Sequence, residues 1–312
     1  MDLLSLPEAS LLAEVSVTTL RNYIRDKRLG AYEKGGRLMV ERTELAAVFG
    51  PKRVAPSRAG LGTRIIAIVN QMGRVGKTTT AAALATILAQ EAPVLALDCD
   101  PQAGLTRAFG FEPDRQDQTL SDVLAQDMPL DASVLPVGPP PTNLALVPAN
   151  LDLADTWRRV AGRVGLESLL KTVLHAFLPR YRYVILDCPP SLDMLTINAL
   201  VAATEVIVPV EMSAFSVRGL VKLMGTMQEV RTVNRDLPPA KFVACQTEYT
   251  TVHKAIAEEL EKKYGGSVFC AAIPRGDEIP AAQVAGRPLP FHAPMSRVGV
   301  AYEALAAEVR RA

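Results

Sequence analysis

Lys77 follows Gly76, precedes Thr78 and Thr79, and sits just beyond an apolar run; that order of residue types suits the gripping of phosphate. The stretch RIIAIVNQMGRVGKTTTAAALATILA, Arg64 to Ala89, reads as a buried strand (Ile65 to Val69), a tight loop (Asn70 to Gly76) and a helix opening at Lys77. Loop amides and a helix N-terminus together form an anion site. The cradle is expected to run through Gly73, Arg74, Val75, Gly76, Lys77, Thr78 and Thr79. Lys77 adds a point charge near the β- and γ-phosphates of a bound nucleotide, and Thr78 a hydroxyl for Mg²⁺. The pattern G-x-x-x-x-G-K-[ST] is not fully met, because Gln71 stands where the first glycine belongs, but the strand–loop–helix context is.

Three acids complete the chemistry. LALDCDPQAGLT delivers Asp98 and Asp100 from the end of a buried strand, where carboxylates are costly unless they organise a cation or water. Asp98 is placed near Mg²⁺, and Asp100 as the group that orients the attacking water. In YVILDCPPSLDMLTINAL a second apolar strand ends in Asp187, a Walker B signal whose carboxylate would hold Mg²⁺ through water. Alone that signal is weak; downstream of a phosphate loop it is strong.

The elements that must position these groups alternate. Strands are expected at Ala92 to Asp98, Leu144 to Pro148, Tyr183 to Asp187, Glu205 to Val210, Lys241 to Gln246 and Val268 to Ile273. Helices fall between them, among them Leu166 to Phe177, Ser216 to Val233 and Val252 to Tyr264. Such alternation means an α/β fold, a doubly wound and mostly parallel sheet with ligands at the carboxyl ends of its strands. The Pro-rich segment Asp127 to Pro141 reads as a surface loop.

Ahead of this domain, residues 1–49 form a unit of their own. Ser5-x-x-Glu8 with Pro7 signals a helix start, and Ser16 caps a second helix with Leu20 and Ile24 on one face. AYEKGGRLMV is a hairpin around Gly35-Gly36, and ERTELAAVF a closing helix. A turn between two short helices followed by a hairpin suggests a winged helix-turn-helix. Thr18, Thr19, Arg21, Asn22 and Arg25 would reach bases or phosphates from the second helix, and Lys34 and Arg37 the backbone from the wing. The alternative is a docking module with solvated charges, since Lys and Arg exceed Asp and Glu by only three over residues 1–58. Residues 50–63, rich in Pro, Gly and Arg, read as a linker, and residues 64–312 as the nucleotide domain.

Composition narrows the classes. A net charge of +1 over 312 residues provides no global field for nucleic acid, so DNA contact must be local. Lys222, Arg231, Arg235, Lys241, Lys254, Lys262 and Lys263 are candidates for such a patch, or else solvated helix charges. The four cysteines lack metal or disulfide spacing and look like small buried side chains. His175, His253 and His292 show no ligand spacing, and Trp157 suits packing on a helix. The N-terminus lacks signal-peptide character, and no apolar run spans a bilayer; a cytoplasmic protein is expected, without a membrane partner.

The three motifs together resemble the ParA/MinD branch of P-loop NTPases, the deviant Walker group, from about Arg64 to the C-terminus. LDCDPQ, LDCPPSL, TINAL, PVEMSAFSVRGL and AIPRGDEIPAA favour the ParA side. Residues 1–49 resemble the winged domain of the MerR and excisionase families. The resemblance implies a low-turnover partition ATPase that dimerises face to face across ATP, coats DNA on the nucleoid and is stimulated by a ParB-like centromere-binding partner. It implies that Pro274 and Arg275 line the adenine, and that the N-terminal domain represses the protein's own operon, as in some plasmid-type relatives. The C-terminal helix lacks the bulky apolar anchors of a MinD-type membrane tail.

The loop breaks the family pattern K-G-G-x-G-K-T. Met72 stands where the signature lysine reaches across the dimer, and Arg74 where the second glycine belongs. Either Arg74 takes over the trans-acting charge, making it catalytic with Lys77 and Asp100, or hydrolysis is weakened and a nucleotide-sensing repressor remains. A positioning ATPase for a cargo other than DNA is a third option.

Overall fold

The computed structural model describes residues 3–12, 17–25, 29–34, 37–41, 44, 62–138, 142–212, 214–248 and 250–312. The chain divides into two compact units, Met1–Ala55 and Pro56–Ala312.

In the first unit, strand β1 (Leu3–Ser5) leads into helix α1 (Leu6–Leu12), and helix α2 (Val17–Arg25) is followed by β2 (Tyr32–Lys34) and β3 (Arg37–Glu41). The Glu8 carboxylate accepts the Ser5 amide at 2.8 Å and hydroxyl at 2.7 Å, the capping contact that the Ser5–Glu8 spacing predicts. Leu4, Leu6, Ala9, Leu20, Leu29 and Val40 make a small core on which Ile24 packs. β1 is a strand the sequence analysis missed. It pairs antiparallel with β3, Leu3 opposite Glu41, and makes the hairpin a three-stranded sheet. Three residues are too few to show a period, so only a partner strand reveals them. The turn from Ala13 to Val15, the Gly35-Gly36 tip, most of the closing helix and residues 50–61 lie outside the described residues.

In the second unit the strands are β4 (Arg64–Ile68), β5 (Val94–Asp98), β6 (Leu135–Pro136), β7 (Leu144–Val147), β8 (Tyr183–Asp187), β9 (Glu205–Glu211), β10 (Lys241–Thr247) and β11 (Val268–Pro274). They form one sheet in the order β11-β10-β9-β4-β8-β5-β7-β6, parallel except for β6. The helices are α3 (Lys77–Leu88), α4 (Gly104–Ala108), α5 (Leu120–Gln126), α6 (Thr156–Arg159), α7 (Leu169–His175), α8 (Met194–Ala202), α9 (Ala214–Val230), α10 (Thr251–Tyr264), α11 (Glu278–Val284), α12 (Leu289–His292) and α13 (Arg297–Arg311). β4 shows why both faces are covered: Ile65 and Ala67 enter one core with α5, α7, α8, α9 and α10, and Ile66 and Ile68 enter the other with α3, α4 and α13. β4 lies between β8 and β9 at the sheet centre. Its register puts Ile68 opposite Asp187, and β5 puts Asp98 opposite Asp187, so the phosphate loop and two acids leave the sheet at one level.

Several expectations need correction. Asp127 to Pro141 is more than a surface loop: Leu130, Ser133 and Val137 are buried, and β6 pairs with β7. Thr63, assigned to the linker, is fixed by its hydroxyl, which donates to the Leu178 and Tyr181 carbonyls at 2.5 and 2.9 Å. Cys99, Cys188 and Cys245 are buried as expected, but Cys270 is exposed. It lies on edge strand β11, which spends four steps, Val268 to Ala272, against two on β10. The Glu308 carboxylate on α13 accepts the bulge amides of Cys270 and Ala271 at 2.9 and 2.7 Å, satisfying donors the ladder abandons.

The helix α13 is held by Tyr302, Leu305 and Val309, all fully buried, and Tyr302 Oη lies 3.3 Å from Thr80 Oγ1 on α3. Leu305→Ala should therefore lower the unfolding free energy by about 2–5 kcal/mol, read as a lower urea midpoint with an unchanged slope. A shift under about 1 kcal/mol would show that α13 does not seal this core.

Candidate functional site

The loop between β4 and α3 begins with a brace. Asn70, buried, donates from Nδ2 to the Pro209 carbonyl at 2.8 Å and accepts the Met72 amide on Oδ1 at 2.9 Å. The chain then climbs through Arg74 at φ +62° and Gly76 at φ +96° into α3. Gly76 is free to adopt that angle, whereas Arg74 does so at a cost of about 1–2 kcal/mol. Among the described residues, no backbone N–H from Gly73 to Thr79 donates to a protein acceptor. A row of unspent amides leading into a helix N-terminus is an anion cradle.

Lys77 is buried within it, and its ammonium donates to the Met72 carbonyl at 2.6 Å. Burial pulls its pKa down, opposed by the charges of Asp187 and Asp100. Thr78 is half-buried, and Gly104 leaves it room: a Cβ at Gly104 would sit 3.2 Å from the Thr78 hydroxyl oxygen.

The acids differ in what they touch. Asp98 is fully buried, but its oxygens accept the Asp100 amide at 3.1 Å, the Thr106 amide at 2.8 Å and the Thr106 hydroxyl at 2.7 Å. It folds the segment that presents Asp100, whose own carboxylate accepts the Gln102 amide at 2.8 Å. Asp187 is equally buried, yet among the described residues neither of its oxygens accepts a hydrogen bond. The Thr78 hydroxyl approaches and favours its charged form, but no bond of normal geometry closes. Burial pushes Asp98 up to about 6, and burial together with the Asp98 charge pushes Asp187 well above 3.8. An orphaned carboxylate next to a hydroxyl and a phosphate cradle suits a divalent cation. Among the described residues no three His, Cys, Asp or Glu side chains cluster to cage one. Such a cation would therefore draw ligands from phosphate and water, as Mg²⁺ does.

The structure thus gathers Lys77, Thr78, Asp98, Asp100 and Asp187 at the ends of β4, β5 and β8. Pro274 and Arg275 lie two strands away from β9, at the end of β11, and join the loop through β10: the Arg275 amide donates to the Thr247 carbonyl at 3.2 Å. Arg74 points its side chain into solvent. Arg21 and Arg25 are exposed on α2 of the first unit. Thr18, Thr19 and Asn22 lie on α2, Lys34 on β2 and Arg37 on β3, their side chains outside the described residues. Sequence reasoning missed Asn70, Gly104 and Thr106. Thr106 lies eight residues after Asp98, a spacing that carries no signal until the loop is folded.

Residues 63–238 match the AAA domain family, and residues 3–49 a helix-turn-helix domain. The sporulation initiation inhibitor protein Soj of Bacillus subtilis is 36% identical over 251 residues, 79% of this chain and 98% of Soj. The chain belongs to the ParA/Soj family of phosphate-loop ATPases. The chromosome partitioning protein ParA of Caulobacter vibrioides is 34% identical over 252 residues, 79% of this chain and 93% of its own length. A Mycobacterium smegmatis structure described as cobyrinic acid a,c-diamide synthase with bound ADP and magnesium superposes with a TM-score of 0.70. It is 31% identical and covers 80% of this chain and 94% of that one. No described helix is long and apolar enough to cross a membrane.

A folded-state pKa above the unfolded value means that the folded acids keep protons the unfolded chain releases. The metal-free protein should thus lose stability as pH rises from about 4 through 6. Asp187→Asn should stabilise it at pH 7 in EDTA by about 1–3 kcal/mol, a gain that shrinks toward pH 4, and should abolish magnesium-dependent ADP binding. Thermal unfolding and calorimetry check both; a variant less stable than the parent in EDTA would show that the Asp187 charge is already compensated.

Proposed function

We propose that this chain is an ATP-dependent partition protein whose phosphate loop takes up ATP or ADP with Mg²⁺. The observation that carries this reading is the row of unspent amides from Gly73 to Thr79 facing a buried lysine and an orphaned Asp187. Lys77 would exchange the Met72 carbonyl for phosphate oxygens, and the loop amides would hold the remaining charge. Mg²⁺, when bound, neutralises charge on the β- and γ-phosphate oxygens; Thr78 would hold it directly and Asp187 through water. Asp98 would keep the Asp100 segment in place, and Asp100 would orient the attacking water. Pro274 and Arg275 would flank the base.

ATP would bring two copies together across the nucleotides, with Arg74 supplying the charge that Met72 lacks. The dimer would bind duplex DNA through its basic helices on the nucleoid, and a ParB-like partner would speed hydrolysis. Residues 1–49, a helix-turn-helix unit with Arg21 and Arg25 exposed, would bind an operator; residues 64–312 would be the ATPase. Named relatives support the partition role, Soj and ParA covering four-fifths of this chain.

A second reading rests on Met72, which places no charge at the family's trans-acting position: a repressor that senses nucleotide without turning it over. ATP turnover with and without duplex DNA, beside sedimentation in ATP and ADP, separates the two. The partition reading expects slow, DNA-stimulated turnover and an ATP-specific dimer; operator affinity set by nucleotide with no turnover would favour the repressor. A stimulating partner unrelated to centromere binding would point to another cargo.

Arg74→Gly should fold at least as stably, since it relieves a left-handed residue worth about 1 kcal/mol, and should retain ADP binding while losing turnover. Unchanged turnover would remove Arg74 from the mechanism.

A further inference from the structure

Among the described residues four that are not glycine lie in the left-handed region, Arg74, Ala103, Asp127 and Gln246, and two of them touch: Arg74 at φ +62° and Gln246 at φ +56°. The Gln246 side chain donates from Nε2 to the Arg74 carbonyl at 2.5 Å, joining β10 to the phosphate loop across 172 residues of chain. The neighbouring Cys245 backs the same loop; a Cβ at Gly76 would sit 3.7 Å from its sulfur. Strain that persists in a fold is held there by its surroundings and gathers where geometry serves a task.

The task follows from peptide planarity. The Arg74 carbonyl and the Val75 N–H belong to one trans peptide and point in opposite directions. A carbonyl turned outward to Gln246 turns the Val75 amide inward, and that amide has no protein acceptor among the described residues. A carbonyl turned inward would face phosphate oxygens and repel them. In a loop with glycine at position 74 the plane is free to turn; with arginine there, its orientation depends on what grips the carbonyl.

We infer that Gln246 is a positioning residue for nucleotide binding: it fixes the Arg74–Val75 peptide so that the Val75 amide meets a phosphate oxygen. The inference rests on the ATP-binding reading above and adds to it a residue outside the phosphate-loop motif.

Gln246→Met keeps length and removes the donor; Gln246→Glu sets an acceptor against the carbonyl. Calorimetry with ADP and Mg²⁺ should show affinity about 3- to 10-fold weaker for Met and at least about tenfold weaker for Glu. The melting temperature without nucleotide should stay within about 3 °C, so that the loss of affinity is not a loss of fold. In protein labelled with heavy nitrogen at valine, the Val75 amide resonance should move on addition of ADP in the parent and move less in Gln246→Met. Arg74→Gly should make affinity less dependent on Gln246, so that adding Gln246→Met costs less in the Arg74→Gly background than in the parent. A parent that binds no ADP would overturn the ATP-binding reading and this inference with it. A parent that binds ADP beside variants of equal affinity, or an unaltered Val75 response, would overturn the inference alone.

Discussion

Everything at the nucleotide end of this protein depends on one electrostatic arrangement. Three neighbouring parallel strands, β5, β8 and β4, end at the same level and deliver Asp98, Asp187 and the phosphate loop side by side. Two carboxylates and an ammonium, all buried, would be a poor bargain for stability without a ligand. The fold divides the load unevenly. Asp98 is satisfied by three donors from its own loop; Asp187 has none among the described residues. That asymmetry leaves Asp187, of the two, with oxygens open to a cation.

The loop itself holds a second tension. Anion cradles need their carbonyls turned away and their amides turned in, a backbone that glycine adopts without strain. Here Gly76 does so, but Arg74 is asked to do the same with a side chain attached. Its side chain is exposed, so the strained backbone carries a cation on the solvent side of the loop. The Met72 carbonyl still matters, as the resting partner of Lys77.

The second unit is sealed behind this chemistry by α13. Its apolar face fills one core, Glu308 caps a bulged edge strand, and Tyr302 reaches Thr80 on the helix that begins at the phosphate loop. The C-terminal helix therefore packs on the domain, as its lack of bulky exposed anchors predicts, and its contact with α3 ties the edge of the sheet to the element carrying Lys77.

The sequence by itself determined the phosphate loop, the two strand-end acids and the α/β alternation, because each is local: an apolar strand, a tight loop and a helix start are written in consecutive residues. The helix-turn-helix unit was legible for the same reason, through a capping pair and a hairpin. Only the tertiary structure decided what each acid touches, since Thr106 meets Asp98 through a folded loop and no described donor reaches Asp187. It also decided the pairing of β1 and β6, strands too short to show a period, and the exposure of Cys270, which follows from a bulge at the sheet edge. The contact between Gln246 and Arg74 lies furthest from sequence reading. Residues so distant along the chain meet only because β10 runs beside β9, which runs beside β4, and hydrogen-bond ladders, unlike helix and turn signals, leave no local trace in the order of amino acids.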